Sequence, residues 1–177
     1  MNDSLENKVA VVTGGTSGIG KAAALALAKA GAMVVVAGRR ENEGQAVVQA
    51  IEESGGKAIF VKTDVSREAD VKALVDKTLA TFGRLDIAFN NAGTEGQMGP
   101  TTDIQTSENY QSVFDINVKG VLLSMKHEAA SHVTQWRRID RQYLVHRGPD
   151  RFGGSRCLCG QQARRQGFEQ KRRPGIR

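Results

Sequence analysis

The segment "KVAVVTGGTSGIG", residues 8–20, constrains the fold more than any other part of this sequence. Its valine-rich apolar run is typical of a strand buried on both faces of a parallel sheet. Glycines at positions 14, 18 and 20 then lead into an alanine- and leucine-rich stretch that favours a helix. Such glycines permit a tight turn and let a pyrophosphate approach the free N–H groups of the helix N-terminus. The segment therefore predicts a phosphate-binding strand, turn and helix, with a plain glycine-rich turn as the alternative.

Strand and helix patterns alternate along the first 130 residues, with short connections between them. Valine-rich runs predict the strands, whereas longer stretches with one apolar face, closed by glycine, predict the helices. Short right-handed connections between such elements give a doubly wound parallel sheet, whose ligands bind beyond the carboxyl ends of the strands. The predicted strands are 8–14, 32–38, 57–65 and 84–93, and the predicted helices are 18–30, 39–56, 67–82, 106–113 and 115–130.

The composition changes abruptly near residue 130, which predicts two parts of different character. Residues 1–130 hold 13 Lys and Arg against 16 Asp and Glu, whereas residues 131–177 hold 12 against 3. We therefore predict a truncated Rossmann-like domain over 1–130, followed by a basic, irregular tail over 131–177. No apolar run approaches the ~20 residues of a membrane helix, and the N-terminus lacks a signal pattern. We expect a soluble, cytoplasmic protein.

Four motifs, in order along residues 5–130, resemble those of the short-chain dehydrogenase/reductase family. The glycines of "TGGTSGIG", residues 13–20, have the spacing G-x-x-x-G-x-G, and Asp64-Val65 ends the third predicted strand. "NNAG", residues 90–93, ends the fourth predicted strand, and "FDINVKG" spans residues 114–120. Together these motifs are far more specific than any one of them. The resemblance implies a Rossmann-like fold and NAD(P)-dependent hydride transfer between a nicotinamide and a small alcohol or carbonyl substrate.

The resemblance also implies roles for individual residues. Asp64 would hydrogen-bond the adenine ring, the segment Asn90–Gly93 would brace the sheet and line the nicotinamide side, and Asn117 would help hold the catalytic water and lysine. Without the resemblance, Asp64 could equally cap the next helix, Asn117 could be a solvated or capping amide, and the asparagines of "NNAG" could be turn residues. The implied catalytic residue is Asn117, and the implied cofactor-binding residues are Thr13, Gly14, Thr16, Ser17, Gly18, Ile19, Gly20, Arg39, Asp64, Val65, Asn91, Ala92 and Gly93.

The residues after the second predicted strand indicate which cofactor is preferred. An acidic residue there would accept hydrogen bonds from the ribose 2′-OH of NAD, whereas an arginine can bind the 2′-phosphate of NADP. This chain has Gly38 followed by Arg39 and Arg40, with no acid at these positions. We therefore predict NADP(H) over NAD(H). The alternative is that both arginines belong to a solvated helix start.

The proton-transfer residues that the family uses are missing from this chain. The family tyrosine lies four residues before a lysine, whose charge lowers the tyrosine pKa, and a serine about 13 residues before the tyrosine holds the substrate oxygen. The sequence contains no Y-x-x-x-K; the nearest pair, Tyr143 and Arg147, has Ala130 at the serine position and lacks a helix pattern. We therefore expect weak cofactor binding and essentially no turnover. The His and Cys residues have no metal-ligand or triad spacing, and we interpret them as incidental: His127, His132, His146, Cys157 and Cys159.

A slipped reading frame would explain the tail. If the codons from about residue 131 onward are reread one base downstream, residues 136–148 permit G-G-G-S-I-V-N-T-S-S-I-A-G. The same rereading places a tyrosine codon across Leu158 and Cys159 and opens Y-V-A-S-K, with a serine 13 codons earlier. Both catalytic spacings of the family are then present. We therefore hypothesise a frame slip between about residues 128 and 132, by mutation or sequencing error, which the nucleotide sequence tests.

The basic tail also allows a second class of function. A non-catalytic dinucleotide-binding fragment could use it to bind nucleic acid, which a salt-dependent affinity lost on deleting residues 131–177 would reveal. The tail lacks the interleaved aromatic residues of such arms, so we expect no nucleic-acid partner, and we expect no membrane and no metal. The resemblance implies homo-oligomers. A sheet without its later strands leaves one face of the fourth strand uncovered, so for this chain we expect aggregation.

Overall fold

The valine-rich runs form a parallel sheet in the computed structural model, which describes residues 4–97 and 105–135. The strands are β1 Val9–Thr13, β2 Met33–Gly38, β3 Lys57–Lys62 and β4 Ile87–Asn90. The helices are α1 Gly18–Lys29, α2 Glu41–Glu53, α3 Glu68–Phe82, α4 Ser107–Phe114 and α5 Gly120–Gln135. The strands lie in the order β3-β2-β1-β4 and a helix follows each of them in the chain. The predicted doubly wound α/β fold is confirmed.

The first strand forms the centre of the core because both of its faces are covered. Every residue of β1 is buried. Ala10 and Val12 pack into an apolar cluster with α1 and α2, while Val9 and Val11 pack into a second cluster with α3. Burial of one such side chain contributes ~1.5–3 kcal/mol. A strand that is covered on both faces has an unbroken apolar sequence, whereas a half-exposed strand alternates apolar and polar residues. The apolar run of β1 therefore fits its central position.

Glycines follow the ends of the first three helices, as the sequence predicts. After α1, Gly31 has a φ of 99° and donates to the Ala28 carbonyl at 2.9 Å, and the Ala32 N–H donates to the Leu27 carbonyl at 3.1 Å. These two bonds form the Schellman arrangement, which favours glycine at the left-handed position. The second helix, predicted as 39–56, is shorter and ends in the same way at Gly55, whose φ is 83°.

The third strand also ends earlier than predicted. The sequence predicts a strand over 57–65, but β3 stops at Lys62. Asp64 Oδ1 accepts hydrogen bonds from the Ser66 N–H at 3.0 Å and from the Ser66 hydroxyl at 2.7 Å. This local turn competes with strand pairing. Asp64 and Val65 therefore lie in the loop that joins β3 to α3, beyond the carboxyl end of the strand.

The fourth strand has four residues, although the sequence predicts 84–93. Before it, the Asp86 carboxylate accepts the Val9 N–H at 2.9 Å. After it, the N–H groups of Asn91 and Ala92 donate to Thr13 Oγ1 at 3.0 and 3.2 Å. At both ends of β4, side-chain oxygens thus accept hydrogen bonds that backbone carbonyls accept within a sheet. The strand is therefore shorter than predicted.

The two helices predicted over 106–113 and 115–130 are joined without a break. A π-helical segment, Asp115–Lys119, connects α4 to α5, and the Gly120 N–H donates to the Asp115 carbonyl five residues earlier. The backbone stays helical through the junction, since φ is −69° at Phe114 and −58° at Gly120. Both predicted helices are present, but the start predicted for the second one is π-helical, and the α-helix proper begins at Gly120. A π-helical turn accommodates one extra residue inside a helix, and such turns are frequent at functional sites.

The predicted boundary at residue 130 stays a prediction, because only part of the second region is described. The fifth helix continues to Gln135, and residues 136–177 lie outside the described residues, as does the side chain of His132. None of the helices within residues 4–97 and 105–135 is long and apolar enough to cross a membrane. The predictions that therefore stay untested concern Tyr143, His146, Arg147, Cys157 and Cys159.

Candidate functional site

Three glycines shape the turn between β1 and α1. Gly14 and Gly18 have φ values of 66° and 52°, which favour glycine at both positions. Gly20 is needed for space: a Cβ built there would lie 2.2 Å from the Gly14 carbonyl oxygen and 2.6 Å from Asn91 Nδ2. Ile19, beside it, is 74% exposed. The turn thus brings accessible backbone to the start of a helix, which is the arrangement that binds phosphate in many proteins.

The side chain of Arg40 lies over this turn. Its Nη2 atom donates to Thr16 Oγ1 at 3.1 Å and to Ser17 Oγ at 2.5 Å, and Nη1 lies 3.6 Å from Glu43 Oε1. Ser17 is the N-cap of α1, but its side chain makes no capping bond, since its hydroxyl accepts from Arg40 instead. A positive charge therefore stands beside the helix N-terminus. Arg39 was the arginine predicted from the sequence to bind the cofactor, whereas nothing in the sequence indicated the position of Arg40.

Arg39 lines a cavity of about 610 Å³ together with Asp64 and Ser66. Ser112 and Ile116 belong to the lining of the same cavity. Burial opposes ionisation of Asp64, but hydrogen bonds from Ser66 and the charges of Arg39 and Arg67 bring its pKa below the usual value. Asp64 is therefore an ionised acceptor beside an arginine. Its bonds to Ser66 also give it the local turn role that the sequence analysis left open.

Thr13 and Asn91 fasten the glycine-rich turn to the end of β4. Thr13 is 1% exposed, and its hydroxyl accepts two backbone N–H groups from the segment after β4, those of Asn91 and Ala92. In return, Asn91 Nδ2 lies 3.3 Å from the Thr13 carbonyl oxygen and 3.5 Å from that of Gly14. A Cβ on Gly14 would approach the Ala92 Cα to 2.9 Å. The close fit of these two segments fixes one wall of the site.

Asn117 lies on the π-helical segment and fixes the chain after β4. Asn117 Oδ1 accepts the Thr94 N–H, and Nδ2 donates to the Thr94 carbonyl, both at 2.8 Å. The neighbouring Gly93 is close enough that a Cβ there would lie 3.4 Å from Asn117 Oδ1. Asn117 is therefore not a free solvated amide. Both of its polar side-chain atoms bond to the backbone of Thr94, next to the segment predicted to line the nicotinamide. The catalytic role of Asn117 stays a prediction.

Val65, which was predicted to bind the cofactor, and Asn90, the neighbour of Asn91, both make packing contacts that the sequence did not indicate. Val65 is 7% exposed, and a Cβ on Gly120 would lie 2.7 Å from its Cγ2. This valine therefore packs closely against the first residue of α5. Asn90 faces away from the turn and donates from Nδ2 to Glu128 Oε2 at 2.9 Å. Glu128 is 5% exposed. No sequence signal identified Glu128, because "KHEAAS" has the composition of a solvated helix.

His127 makes a contact on the protein surface, and its interpretation as incidental stays a prediction. Its Nε2 atom lies 3.1 Å from Glu68 Oε1, which also accepts from Lys126 Nζ at 2.6 Å. These contacts join α5 to the start of α3 on the protein surface. Within residues 4–97 and 105–135, no group of three His, Cys, Asp or Glu side chains could hold a metal ion.

Comparison with protein families identifies the origin of these motifs. Residues 8–136 match the family model described as short chain dehydrogenase. The chain is 47% identical over 130 residues to an uncharacterised oxidoreductase of Methylorubrum extorquens, covering 73% of this chain and 51% of that protein. It is 46% identical over 124 residues to a 2,5-dichloro-2,5-cyclohexadiene-1,4-diol dehydrogenase of Sphingobium indicum, covering 70% and 48%.

A solved structure gives the same relationship. The crystal structure of a short-chain type dehydrogenase/reductase from Mycobacterium marinum superimposes with a TM-score of 0.71 at 37% sequence identity. The match covers 75% of this chain and 53% of that one. The chain therefore spans about half the length of the relatives that it matches.

Proposed function

Since the chain belongs to the short chain dehydrogenase family, a family of oxidoreductases that bind nicotinamide cofactors, we propose that it carries the dinucleotide-binding half of an NAD(P)-dependent dehydrogenase. The single observation that supports this most is the mutual fixing of the glycine-rich turn, the segment after β4 and Asn117 by side-chain bonds. The reaction is hydride exchange between the nicotinamide and an alcohol or carbonyl carbon of a small substrate. We propose a cytoplasmic protein with no nucleic-acid partner.

The residues present fit a dinucleotide. No atom lies within 4 Å of a Cβ built on Gly18, the first residue of α1, so there is open space at the helix N-terminus, where a pyrophosphate is favoured. Asp64 and Arg39 line a cavity of about 610 Å³ that suits the adenosine half. Asn91, Ala92 and Gly93 line the side next to Asn117, where the nicotinamide is expected. These residues would bind and orient the cofactor, while hydride chemistry belongs to the nicotinamide when bound.

The end of β2 supports NADP(H) as the preferred cofactor. A Cβ at Gly38 would lie 2.7 Å from Thr16 Cγ2, so Thr16 occupies the space that an acidic side chain would need. Arg40, bonded to Thr16 and Ser17, offers a guanidinium next to the same position, and Arg39 offers another. A guanidinium binds a phosphate through charge-assisted hydrogen bonds.

Arg40→Ala is expected to weaken NADP(H) binding about tenfold and to leave NAD(H) binding within about twofold, because NAD lacks the 2′-phosphate. Dissociation constants for both cofactors, measured by calorimetry, check this, and Arg39→Ala in the same assay measures the share of the second arginine. Lys72→Ala is the control, since Lys72 is an exposed cation paired with Asp76. Equal losses for the two cofactors, or tighter NAD(H) binding by the unaltered chain, would contradict the proposal.

We further propose that this chain holds the cofactor without turning it over. The sequence has no Y-x-x-x-K, so the group that transfers the proton is missing while the cofactor-binding residues are present. The family match ends at residue 136, close to the point where the charge of the sequence changes. This coincidence supports the hypothesis of a slipped frame. Cofactor-dependent reduction of carbonyl compounds by this polypeptide would contradict the proposal that the chain does not turn the cofactor over.

An exposed apolar surface supports self-association. Five large apolar side chains follow one another at intervals of three or four residues along α4, the π-helical segment and α5, each 43–64% exposed: Tyr110, Phe114, Val118, Leu122 and Met125. We call this the apolar stripe. A stripe of this length is larger than the single exposed apolar residues of ordinary surfaces. We propose that copies of the chain associate through it, which agrees with the expectation of homo-oligomers or aggregates.

Leu122→Glu combined with Met125→Glu is expected to shift the chain toward the monomer in size-exclusion chromatography, because two buried charges at an interface are strongly unfavourable. Gln45→Glu combined with Ala46→Glu adds the same charge to the exposed side of α2 and serves as the matched control. Light scattering gives the mass of each species. A monodisperse monomer from the unaltered chain, or an equal shift with the control, would contradict this role of the apolar stripe.

A further inference from the structure

Asn90 and Glu128 meet in the interior, where the end of β4 packs against α5. Asn90 Nδ2 donates to Glu128 Oε2 at 2.9 Å, and Glu128 is 5% exposed. The other amide atom, Asn90 Oδ1, is buried and has no hydrogen-bond partner among the residues that the structure describes. A buried acceptor without a donor is destabilising, so native structures nearly always satisfy it.

Among the residues that the structure describes, no positively charged group contributes to holding Glu128 ionised; the side chain of His132, four residues further along α5, lies outside them. Between Ile87 and Asn90, β4 contains no ionisable residue. On α3, Glu68 binds Lys126 and His127 at the surface, and Lys72 binds Asp76 at 2.6 Å. Burial raises the pKa of Glu128, and the hydrogen bond from Asn90 only partly opposes this. The environment therefore favours the neutral acid over the carboxylate.

We propose that Glu128 is a protonated carboxylic acid whose O–H donates to Asn90 Oδ1, so that the acid and the amide form a reciprocal pair that positions the adjoining segment Asn91–Gly93. The proton supplies the one donor that the buried Oδ1 atom lacks, on a group that already contacts Asn90. An ionised Glu128 has only acceptors and could not make this second bond. Glu128 is thus a positioning residue: it acts through Asn90 on the chain that Thr13 and Asn117 also hold. The effect on cofactor binding rests on the proposed function, whereas the pair itself does not.

Glu128→Gln tests the pair, because a glutamine amide can donate to Oδ1 and accept from Nδ2 at every pH. The group has a raised folded pKa, so its stabilisation is complete below the ordinary glutamate pKa of about 4.3 and is lost as the pH rises to the raised value. We expect equal melting temperatures for the variant and the unaltered chain near pH 4. Above the raised pKa, the melting temperature of the variant should exceed that of the unaltered chain. The expected difference is about 3–5 °C for each pH unit that separates the raised pKa from the ordinary one. Glu52→Gln, at an exposed position of α2, is the control and should give no such trend.

The opposite trend would overturn the proposal. If Glu128 were ionised and stabilised by Asn90, its pKa would be lowered, and the variant would be the less stable protein at neutral pH. Infrared difference spectra of the full chain against Glu128→Gln, recorded just above the ordinary glutamate pKa of about 4.3, give a second readout that does not depend on reversible melting. We expect a band from a protonated carboxyl group in the unaltered chain, and its absence would refute the pair.

Glu128→Ala tests the positioning role. It leaves Asn90 with two unpaired buried atoms, and we expect about tenfold weaker NADP(H) binding, with Glu128→Gln restoring the affinity. If the alanine variant binds normally, the pair exists without a positioning role and that part is wrong. If the unaltered chain binds no dinucleotide, the proposed function fails, while the pH dependence and the infrared band still decide whether the pair forms.

Discussion

Gly20→Ala is expected to lower the free energy of unfolding by about 3 kcal/mol and to abolish dinucleotide binding. On helix propensity alone the change should stabilise α1 by about 1 kcal/mol. The new Cβ, however, would lie 2.2 Å from the Gly14 carbonyl oxygen, and backbone cannot rotate away as a flexible side chain can. The turn and the segment at Asn91 must therefore separate. Urea unfolding followed by circular dichroism gives the stability, and calorimetry gives the binding.

Gly18→Ala is the matched control for that experiment. Gly18 has a φ of 52°, but no atom lies within 4 Å of a Cβ built on it. The control therefore carries backbone strain of roughly 1–2 kcal/mol without a clash. A similar loss of stability in both variants would mean that conformational strain, and not the close approach of Gly14, explains the need for glycine at position 20.

Restoring the downstream reading frame should convert a chain that we expect to be inactive into an enzyme. On the hypothesis of a slipped frame, a gene in which the codons from about residue 131 are read one base later encodes the Y-x-x-x-K pair and the serine 13 codons before the tyrosine, as the present residues permit. Proton transfer by a positioned side chain contributes roughly 10²–10⁴-fold to the rate. We therefore expect turnover at least about a hundredfold above that of the present chain, with NADPH oxidation by carbonyl compounds as the assay.

The control for the restored chain changes only the tyrosine codon, at the position of Leu158 and Cys159, to phenylalanine. Activity should then return to the level of the present chain while NADP(H) binding is retained. Activity that survives this change would show that the tyrosine is not the proton donor. A nucleotide sequence that does not spell the family motif one base downstream would remove the basis of the experiment.

The fold could be predicted because its central features are local in the sequence. The runs that became β1 and β2 are apolar throughout, which only a strand covered on both faces tolerates. Gly31 and Gly55 marked helix ends because few other residues adopt a positive φ. The boundaries were less accurate at Asp64 and Asn91, where side chains take over hydrogen bonds that the strand pattern assigns to backbone.

The parts of the site that were missed depend on contacts between distant elements. Two adjacent arginines leave a strand end in different directions, and only the bonds of Arg40 to Thr16 and Ser17 indicate which one covers the turn. Glu128 looks solvated in the sequence because its burial comes from β4, a strand 38 residues away. The helical junction at Asp115–Lys119 has no breaking residue, and a π-helical turn has no simple sequence signal.

The strand order also determines how the molecule assembles. Val11 of β1 pairs with Val35 of β2 and with Ala88 of β4, so one neighbour is close in the chain and the other is distant. Closing the longer loop costs more chain entropy. We therefore expect β1, β2 and β3 to associate early during synthesis, and β4 to dock late. Thr13, which bonds to the residues just after β4, then couples the docking of β4 to formation of the glycine-rich turn. If the turn binds a dinucleotide as proposed, a molecule becomes competent for binding only when β4, the fourth of the described strands, is in place.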